Sequence, residues 1–228
     1  MTPASSWRER LAASKALILV EAAAVAGVFL ADTQHLIVFS KTPYLLVLAA
    51  LSLWLRGAKW RGLGWRIPAD WRRVALIGLA GGVGIELMEL FITQPLFVRL
   101  TGKMPDLSEA AALASSWKLF LLALALTWTL AAVGEELVWR GWVFNRLESL
   151  FGANSWATIA AVAVANAAFG LAHYPQGITG IAENALDGTL LAWLYLATGR
   201  SLLAPVIAHG VTDTVDFTLI FTGHYPGL

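Results

Sequence analysis

The chain has 228 residues, of which 58% are hydrophobic and 14% charged, with a formal net charge of +1 and no cysteine. Soluble domains carry about 25% charged residues, so an ordinary soluble protein is excluded, and the lack of cysteine excludes disulfides and thiolate metal ligands. Several apolar runs approach the ~20 residues that a helix needs to cross a bilayer. The sequence therefore predicts an all-α, polytopic membrane bundle of about seven helices (six to eight), folded as a single domain over residues 1–228.

The first two predicted spans cover about 16–31 and 36–55, and no clear cleavage site comes after the first, so we expect that span to be retained. A basic loop rich in tryptophan comes next, and the N-terminus is basic as well. By the positive-inside rule, both are predicted to face the cytoplasm. We interpret the loop as an anchor for lipid headgroups. Its basic and tryptophan residues are Arg56, Lys59, Trp60, Arg61, Trp65, Arg66, Trp71, Arg72 and Arg73.

The remaining spans are predicted in the order of the chain. The third, 74–98, is rich in glycine, which permits close helix packing, and it carries Glu86 and Glu89. A polar connection leads to a long helix over 118–150, which ends at a turn around Gly152. Three further helices are predicted over 156–173, 177–198 and 202–222.

The long helix carries two adjacent glutamates and an arginine at the end of an apolar run. A charge at membrane depth costs a few kcal/mol or more unless it is paired or hydrated. Glu136 and Arg140 are four residues apart and share a helix face, so they are expected to pair. Glu135 is rotated by about 100° from Glu136. It has no local partner and is therefore the candidate for chemistry.

Two histidines are predicted to reach the same region. Glu135 lies 17 residues before Gly152 and His173 lies 21 residues after it. At a rise of about 1.5 Å per residue, an antiparallel pair of helices places the two within roughly 6 Å in height. His209 and Asp213 are four apart on another helix and share a face.

Imidazoles and carboxylates in this combination leave two chemistries open. They are typical of a divalent metal site with an open position for water. They equally suit a metal-free hydrolase, in which a glutamate takes a proton from water and His209 stabilises the developing oxyanion. The residues alone do not decide between the two.

Three motifs occur in order on separate apolar helices: Glu-Glu-x-x-x-Arg at 135–140, Phe-x-x-x-His at 169–173 and His-x-x-x-Asp at 209–213. Together they resemble the type II CAAX prenyl proteases, also called the Abi or CPBP family, with a core over residues 118–222. The resemblance implies an intramembrane endopeptidase that cuts near the C-terminus of a membrane-associated protein or peptide.

The resemblance also implies roles for individual residues. Glu135 corresponds to the residue that activates water and His173 to its partner. His209 and Asp213 correspond to the pair that stabilises the oxyanion. The other two charged residues of the first motif are interpreted as a structural or substrate-orienting ion pair, Glu136 and Arg140.

Asp213 stands where many relatives have asparagine. An amide can donate to an oxyanion, whereas an ionised carboxylate only accepts. Asp213 is therefore protonated, or orients His209, or binds a metal, and an aspartate here favours the last of these. If the enzyme is metal-dependent, we expect zinc on Glu135, His173, His209 and Asp213; if it is glutamate-dependent, no cofactor is needed.

Two other functions remain compatible with the sequence: a non-enzymatic immunity or scaffolding factor, and an ion-coupled transporter. The transporter predicts inverted repeats, and none is visible in the sequence.

Four more acidic residues are weaker candidates for the site. Glu183 and Asp187 are expected to hold substrate or to pair with Arg200, and Glu86 and Glu89 are expected to face the same cavity. The expected partners are membrane lipids and a peptide or protein substrate, with no nucleic acid, in a bacterial inner membrane. An unprenylated bacterial peptide, leader or sorting tail is expected rather than a prenylated substrate.

Overall fold

The computed structural model describes residues 7–108, 110, 112, 114, 116–152 and 154–226, and no strand occurs among them. This part of the chain folds into a series of helices joined by short connections. They are α1 (Trp7–Ala12), α2 (Lys15–Thr33), α3 (Lys41–Arg56), α4 (Trp71–Thr101), α5 (Trp117–Phe151), α6 (Ser155–Ala172), α7 (Gly177–Ala197) and α8 (Leu203–Thr222).

Four of these helices, α2, α4, α5 and α6, are long and apolar enough to cross a membrane, by length and composition alone. Helix α3 has 16 residues, fewer than the ~20 that a perpendicular span needs. Helices α7 and α8 have 21 and 20 residues but do not meet the same apolar criterion. The all-helical membrane fold is confirmed, while the number of about seven spans stays a prediction.

Helix α5 is wound more loosely where it carries the two glutamates. Its stretches Thr127–Glu135 and Leu137–Val143 are π-helical, and so is Glu89–Thr93 in α4. Such π-turns are rare and occur frequently at functional sites. Of these three stretches, one ends at Glu135, one begins at Glu89 and the third contains Arg140.

A tight turn joins α5 to α6 and makes the two helices antiparallel neighbours. Gly152 adopts a φ of +117°, a conformation that side chains other than glycine rarely tolerate. Asn154 then caps α6, because its side-chain oxygen accepts a hydrogen bond from the amide of Ala157 at 2.9 Å. The hairpin predicted from the sequence is therefore present.

Glycines bring α4 against α8. A Cβ atom at Gly78 would lie 2.7 Å from the carbonyl oxygen of Ala204, and one at Gly82 would lie 2.7 Å from that of Ala208. The close packing expected of these glycines is confirmed. It places Glu86 and Glu89, the next acidic residues of α4, beside the second half of α8.

The N-terminal helices are held by a buried ion pair. Arg56 at the end of α3 contacts Glu21 of α2 at 2.9 Å, and it also donates to the carbonyl oxygen of Leu11 at 2.6 Å. Glu21, which interrupts the first apolar run, is thus satisfied by one of the basic residues that the sequence pattern assigns to a lipid anchor.

Candidate active site

A cavity of about 540 Å³ lies between the C-terminal helices, and the predicted site residues meet there. Glu135, His173, His209 and Asp213 all line it. They come from α5, the end of α6 and α8, three elements that only the folded chain brings together.

Glu135 is positioned by a residue that the sequence did not single out. Thr42 of α3 donates a hydrogen bond from Oγ1 to Oε1 of Glu135 at 3.2 Å, across 93 residues of chain. The neighbouring Gly134 allows this approach, because a Cβ atom there would lie 2.9 Å from the Thr42 methyl group. Apart from this bond, Glu135 is open to the cavity.

Glu136 is oriented differently and is completely buried. Its Oε1 accepts hydrogen bonds from Nη1 of Arg140 at 2.7 Å and from Nδ1 of His209 at 2.9 Å. The ion pair predicted from the four-residue spacing is present. Neither Glu136 nor Arg140 lines the cavity, so the pair acts on the site through His209.

Arg140 ties the surrounding helices together. Its Nη2 donates to the carbonyl oxygen of Gly188 at 2.8 Å and to Oδ1 of Asn166 at 3.4 Å. Its guanidinium lies 4.6 Å from the ring centroid of Phe169, within the range of a cation–π contact. Phe169 therefore packs against the ion pair, and Asn166 links α6 to α5.

Each histidine has one ring nitrogen fixed by a neighbour. Nδ1 of His173 lies 2.9 Å from the carbonyl oxygen of Phe169, and a carbonyl only accepts, so Nδ1 carries the proton and Nε2 is left for other groups. In His209, Nδ1 likewise donates to Glu136, and Nε2 lies 3.7 Å from Oδ1 of Asp213. His173 and Glu135 also share a second, smaller cavity of about 190 Å³.

The arrangement does not fit a zinc ion at the predicted ligands. Zinc binds nitrogen and oxygen ligands at about 2.0–2.2 Å, so its ligand atoms must converge. Within the described residues, Glu135, His173, His209 and Asp213 do not provide three potential ligand atoms within 4.8 Å of one another. We therefore derive no step through a metal at these four residues, and their role as ligands stays a prediction.

Another part of the cavity wall is acidic. Glu89, Glu183 and Asp187 line it, with Asp216 from α8, and Glu86 is buried beside them. Asp216 was missed, although it lies seven residues after His209 and so on the same helix face.

The suggested pairing of Arg200 with Glu183 or Asp187 is wrong. Arg200 instead forms two hydrogen bonds with Glu148, at 2.6 and 2.7 Å, because the turn after α7 lies beside the C-terminal end of α5. The hydrogen bonds with Glu148 raise the pKa of Arg200. The acids of the cavity are left without this counter-charge.

Comparison with known proteins agrees with the motifs. Residues 116–215 match the family model described as type II CAAX prenyl endopeptidase Rce1-like. Neither the curated proteins nor the solved structures contain a significant match. The matched stretch includes all seven residues of the three motifs, whereas Glu86, Glu89 and Asp216 lie outside it. Residues 116–215 of this membrane protein are therefore a domain of the Rce1-like family of type II CAAX prenyl endopeptidases, a family of proteases.

Proposed function

We propose that the protein is an intramembrane endopeptidase in which Glu135 and His173 activate water to hydrolyse a peptide bond. One observation carries the proposal. Of two adjacent glutamates, Glu136 is buried and engaged with Arg140 and His209, whereas Glu135 opens onto a cavity that both histidines share. A carboxylate in such a place can accept a proton from water.

In the first step, Glu135 takes a proton from a water molecule in the cavity. Its Oε1 is held by Thr42, which leaves Oε2 to act as the base. Nε2 of His173 accepts a hydrogen bond from the same water and orients its lone pair. The water oxygen forms a bond to the carbonyl carbon of the substrate, and the C=O π electrons move onto the carbonyl oxygen. A positioned base of this kind accelerates a reaction by about 10²–10⁴-fold.

In the second step, His209 stabilises the oxyanion through Nε2–H. Glu136 accepts from Nδ1 and Asp213 lies 3.7 Å from Nε2, so carboxylates flank both nitrogens and favour a ring protonated on each. Of the three readings of Asp213, this geometry supports the one in which it orients His209. Collapse of the intermediate breaks the C–N bond, and Glu135 returns its proton to the leaving amine. No covalent intermediate is required.

The proposed substrate is a membrane-associated peptide or protein tail that is cut near its C-terminus. The cavity of about 540 Å³ accommodates a short extended segment rather than a folded domain. We expect an unprenylated bacterial peptide rather than a prenylated one, and a position of this domain in the bacterial inner membrane with the N-terminus in the cytoplasm.

The test is cleavage by purified protein in liposomes. A mixture of membrane peptides, with prenylated CAAX peptides and unmodified ones together, is incubated in water enriched in ¹⁸O and analysed by mass spectrometry. Wild type is expected to produce new carboxyl ends that carry ¹⁸O, and Glu135→Gln is expected to produce none. Equal cleavage by both proteins would contradict the proposal.

The competing function is a non-enzymatic immunity or scaffolding factor on the same fold. The structure offers it no specific support. A Glu135→Ala variant that keeps the full biological effect in cells would favour it, because a scaffold does not need a base that opens onto a cavity.

A further inference from the structure

A second group of side chains lies outside the family domain and outside the chemistry described above. Glu86 and Glu89 of α4 and Asp216 of α8 each place one carboxylate oxygen within 4.8 Å of the others. In the described residues, no other group of three or more His, Asp or Glu side chains approaches so closely.

Glu86 shows that this group is incomplete. The residue is 2% exposed, and neither of its carboxylate oxygens receives a hydrogen bond. Oδ1 of Asp216 is likewise buried without a donor. Burying an ionised carboxylate without a partner is costly, so these oxygens have to be neutralised, by a shared proton or by a cation.

The cavity lining offers these acids no free counter-charge. None of its described residues is lysine or arginine, and the imidazole of His209 lies between Glu136 and Asp213. Two further acids of the same wall add to the imbalance, since Glu183 and Asp187 each have a buried oxygen without a donor. Arg140 and Arg200 form ion pairs with Glu136 and Glu148 instead.

We propose that Glu86, Glu89 and Asp216 form a binding site for a hard divalent cation of the Ca²⁺, Mg²⁺ or Mn²⁺ class. Such ions prefer oxygen ligands, and Ca²⁺ takes six to eight of them at about 2.3–2.6 Å. Three carboxylates supply part of this shell, and the cavity has room for water to complete it. The absence of histidine and cysteine from the three ligands argues against zinc.

The ion has a structural consequence that does not depend on peptidase chemistry. It joins α4 to α8 just beyond the glycines that pack the two helices together. It also neutralises the acidic part of the cavity wall. The site can therefore be tested by metal binding alone, and its failure leaves the proposed hydrolysis untouched.

The experiment is a titration of metal-free wild type, purified in mild detergent at neutral pH, with Mn²⁺ as the probe. Electron paramagnetic resonance measures free Mn²⁺, and bound ion is the difference. Wild type is expected to bind about one Mn²⁺ per chain, and Ca²⁺ or Mg²⁺ to displace it. Glu86→Gln and Asp216→Asn are expected to weaken binding by about tenfold or more, because the charge and number of ligands set affinity.

Two control variants make the result decisive. Glu183→Gln removes a buried acid of the same wall outside the group, and His173→Ala combined with His209→Ala removes both imidazoles. Both are expected to bind Mn²⁺ nearly as wild type does. Absence of binding in folded wild type would overturn the site, as would equal losses in Glu183→Gln and Glu86→Gln. Loss in the histidine variant alone would place the ion at the active site and overturn it too.

Discussion

The two walls of the cavity bury carboxylates in opposite ways. Behind one wall, Glu136 is completely buried, yet it accepts hydrogen bonds from Arg140 and His209. Behind the other, Glu86 is nearly as buried, and neither of its oxygens is met by a nitrogen or hydroxyl donor. The first carboxylate belongs to a buried hydrogen-bonded group that positions His209. The second has only other carboxylates beside it, Glu89 and Asp216, which is why we assign the three a bound cation.

The contrast teaches that burial alone does not give a charged residue its role. What separates a structural carboxylate from a binding or reacting one is the number of donors that the folded chain supplies: Oε1 of Glu136 has two although its Oε2 has none, whereas both oxygens of Glu86 lack one. Glu135 lies between these two cases. It accepts one hydrogen bond, from Thr42, and otherwise opens onto the cavity.

The largest expected effect on stability comes from removing Glu136, the buried carboxylate that Arg140 and His209 contact. Glu136→Ala leaves Arg140 buried without its counter-ion, and such a loss costs about 3–5 kcal/mol. We expect a large drop in the unfolding temperature, measured in detergent. The matched control is Glu86→Gln in the absence of divalent ions, which loses no hydrogen bond and is expected to be neutral or stabilising. Equal destabilisation of the two variants would contradict the proposed difference between Glu136 and Glu86.

Removing the proposed oxyanion donor should affect chemistry more than folding. His209→Gln retains an amide that can reach Glu136, and the loss of a preorganised donor costs about 10²–10³-fold in kcat. The measurement is steady-state cleavage of a peptide identified by mass spectrometry. Thr218→Ala changes an exposed residue of the same helix and should keep wild-type kcat. An unchanged kcat in His209→Gln would exclude the role.

The bond from Thr42 is expected to have a smaller effect. A hydrogen bond to a charged group contributes about 1.5–3 kcal/mol, so Thr42→Val should lower kcat by about 10- to 100-fold with little change in KM. Ser52→Ala serves as the control, because Ser52 is a buried hydroxyl of the same helix without a partner. A loss in KM rather than kcat would show that Thr42 positions substrate instead of Glu135.

The smallest effect is expected at the ion pair nearer the surface. Arg200 and Glu148 have side chains that are 40% and 16% exposed, and exposed pairs contribute about 0–1 kcal/mol. Arg200→Gln should therefore lower the unfolding temperature by no more than about 2–4 °C. If Arg200→Gln lowered the unfolding temperature as much as Glu136→Ala, the claim that buried ion pairs contribute more than exposed ones would be contradicted.

Contacts within one helix or one hairpin were predictable from the sequence. The pairing of Glu136 with Arg140 is a consequence of their four-residue spacing, and the shared depth of Glu135 and His173 is a consequence of their distances to Gly152. The order of the three motifs was enough to identify the protease family, which the match over 116–215 confirms.

Contacts between helices distant in the chain could not be predicted in this way. Thr42 reaches Glu135 across 93 residues, and Asp216 meets Glu86 only because glycines bring α4 against α8. The partner of Arg200 was wrong for the same reason. Spacing fixes which residues share a helix face, whereas the packing of the bundle decides which faces meet.

The most direct test of the account compares Glu135→Gln with Glu136→Gln, by thermal unfolding and by peptide cleavage on the same preparations. We predict that Glu135→Gln unfolds at nearly the wild-type temperature and cleaves nothing, while Glu136→Gln is clearly less stable because a charged acceptor of Arg140 and His209 is lost. A stable Glu136→Gln together with an active Glu135→Gln would contradict the assignment of opposite roles to these two neighbours.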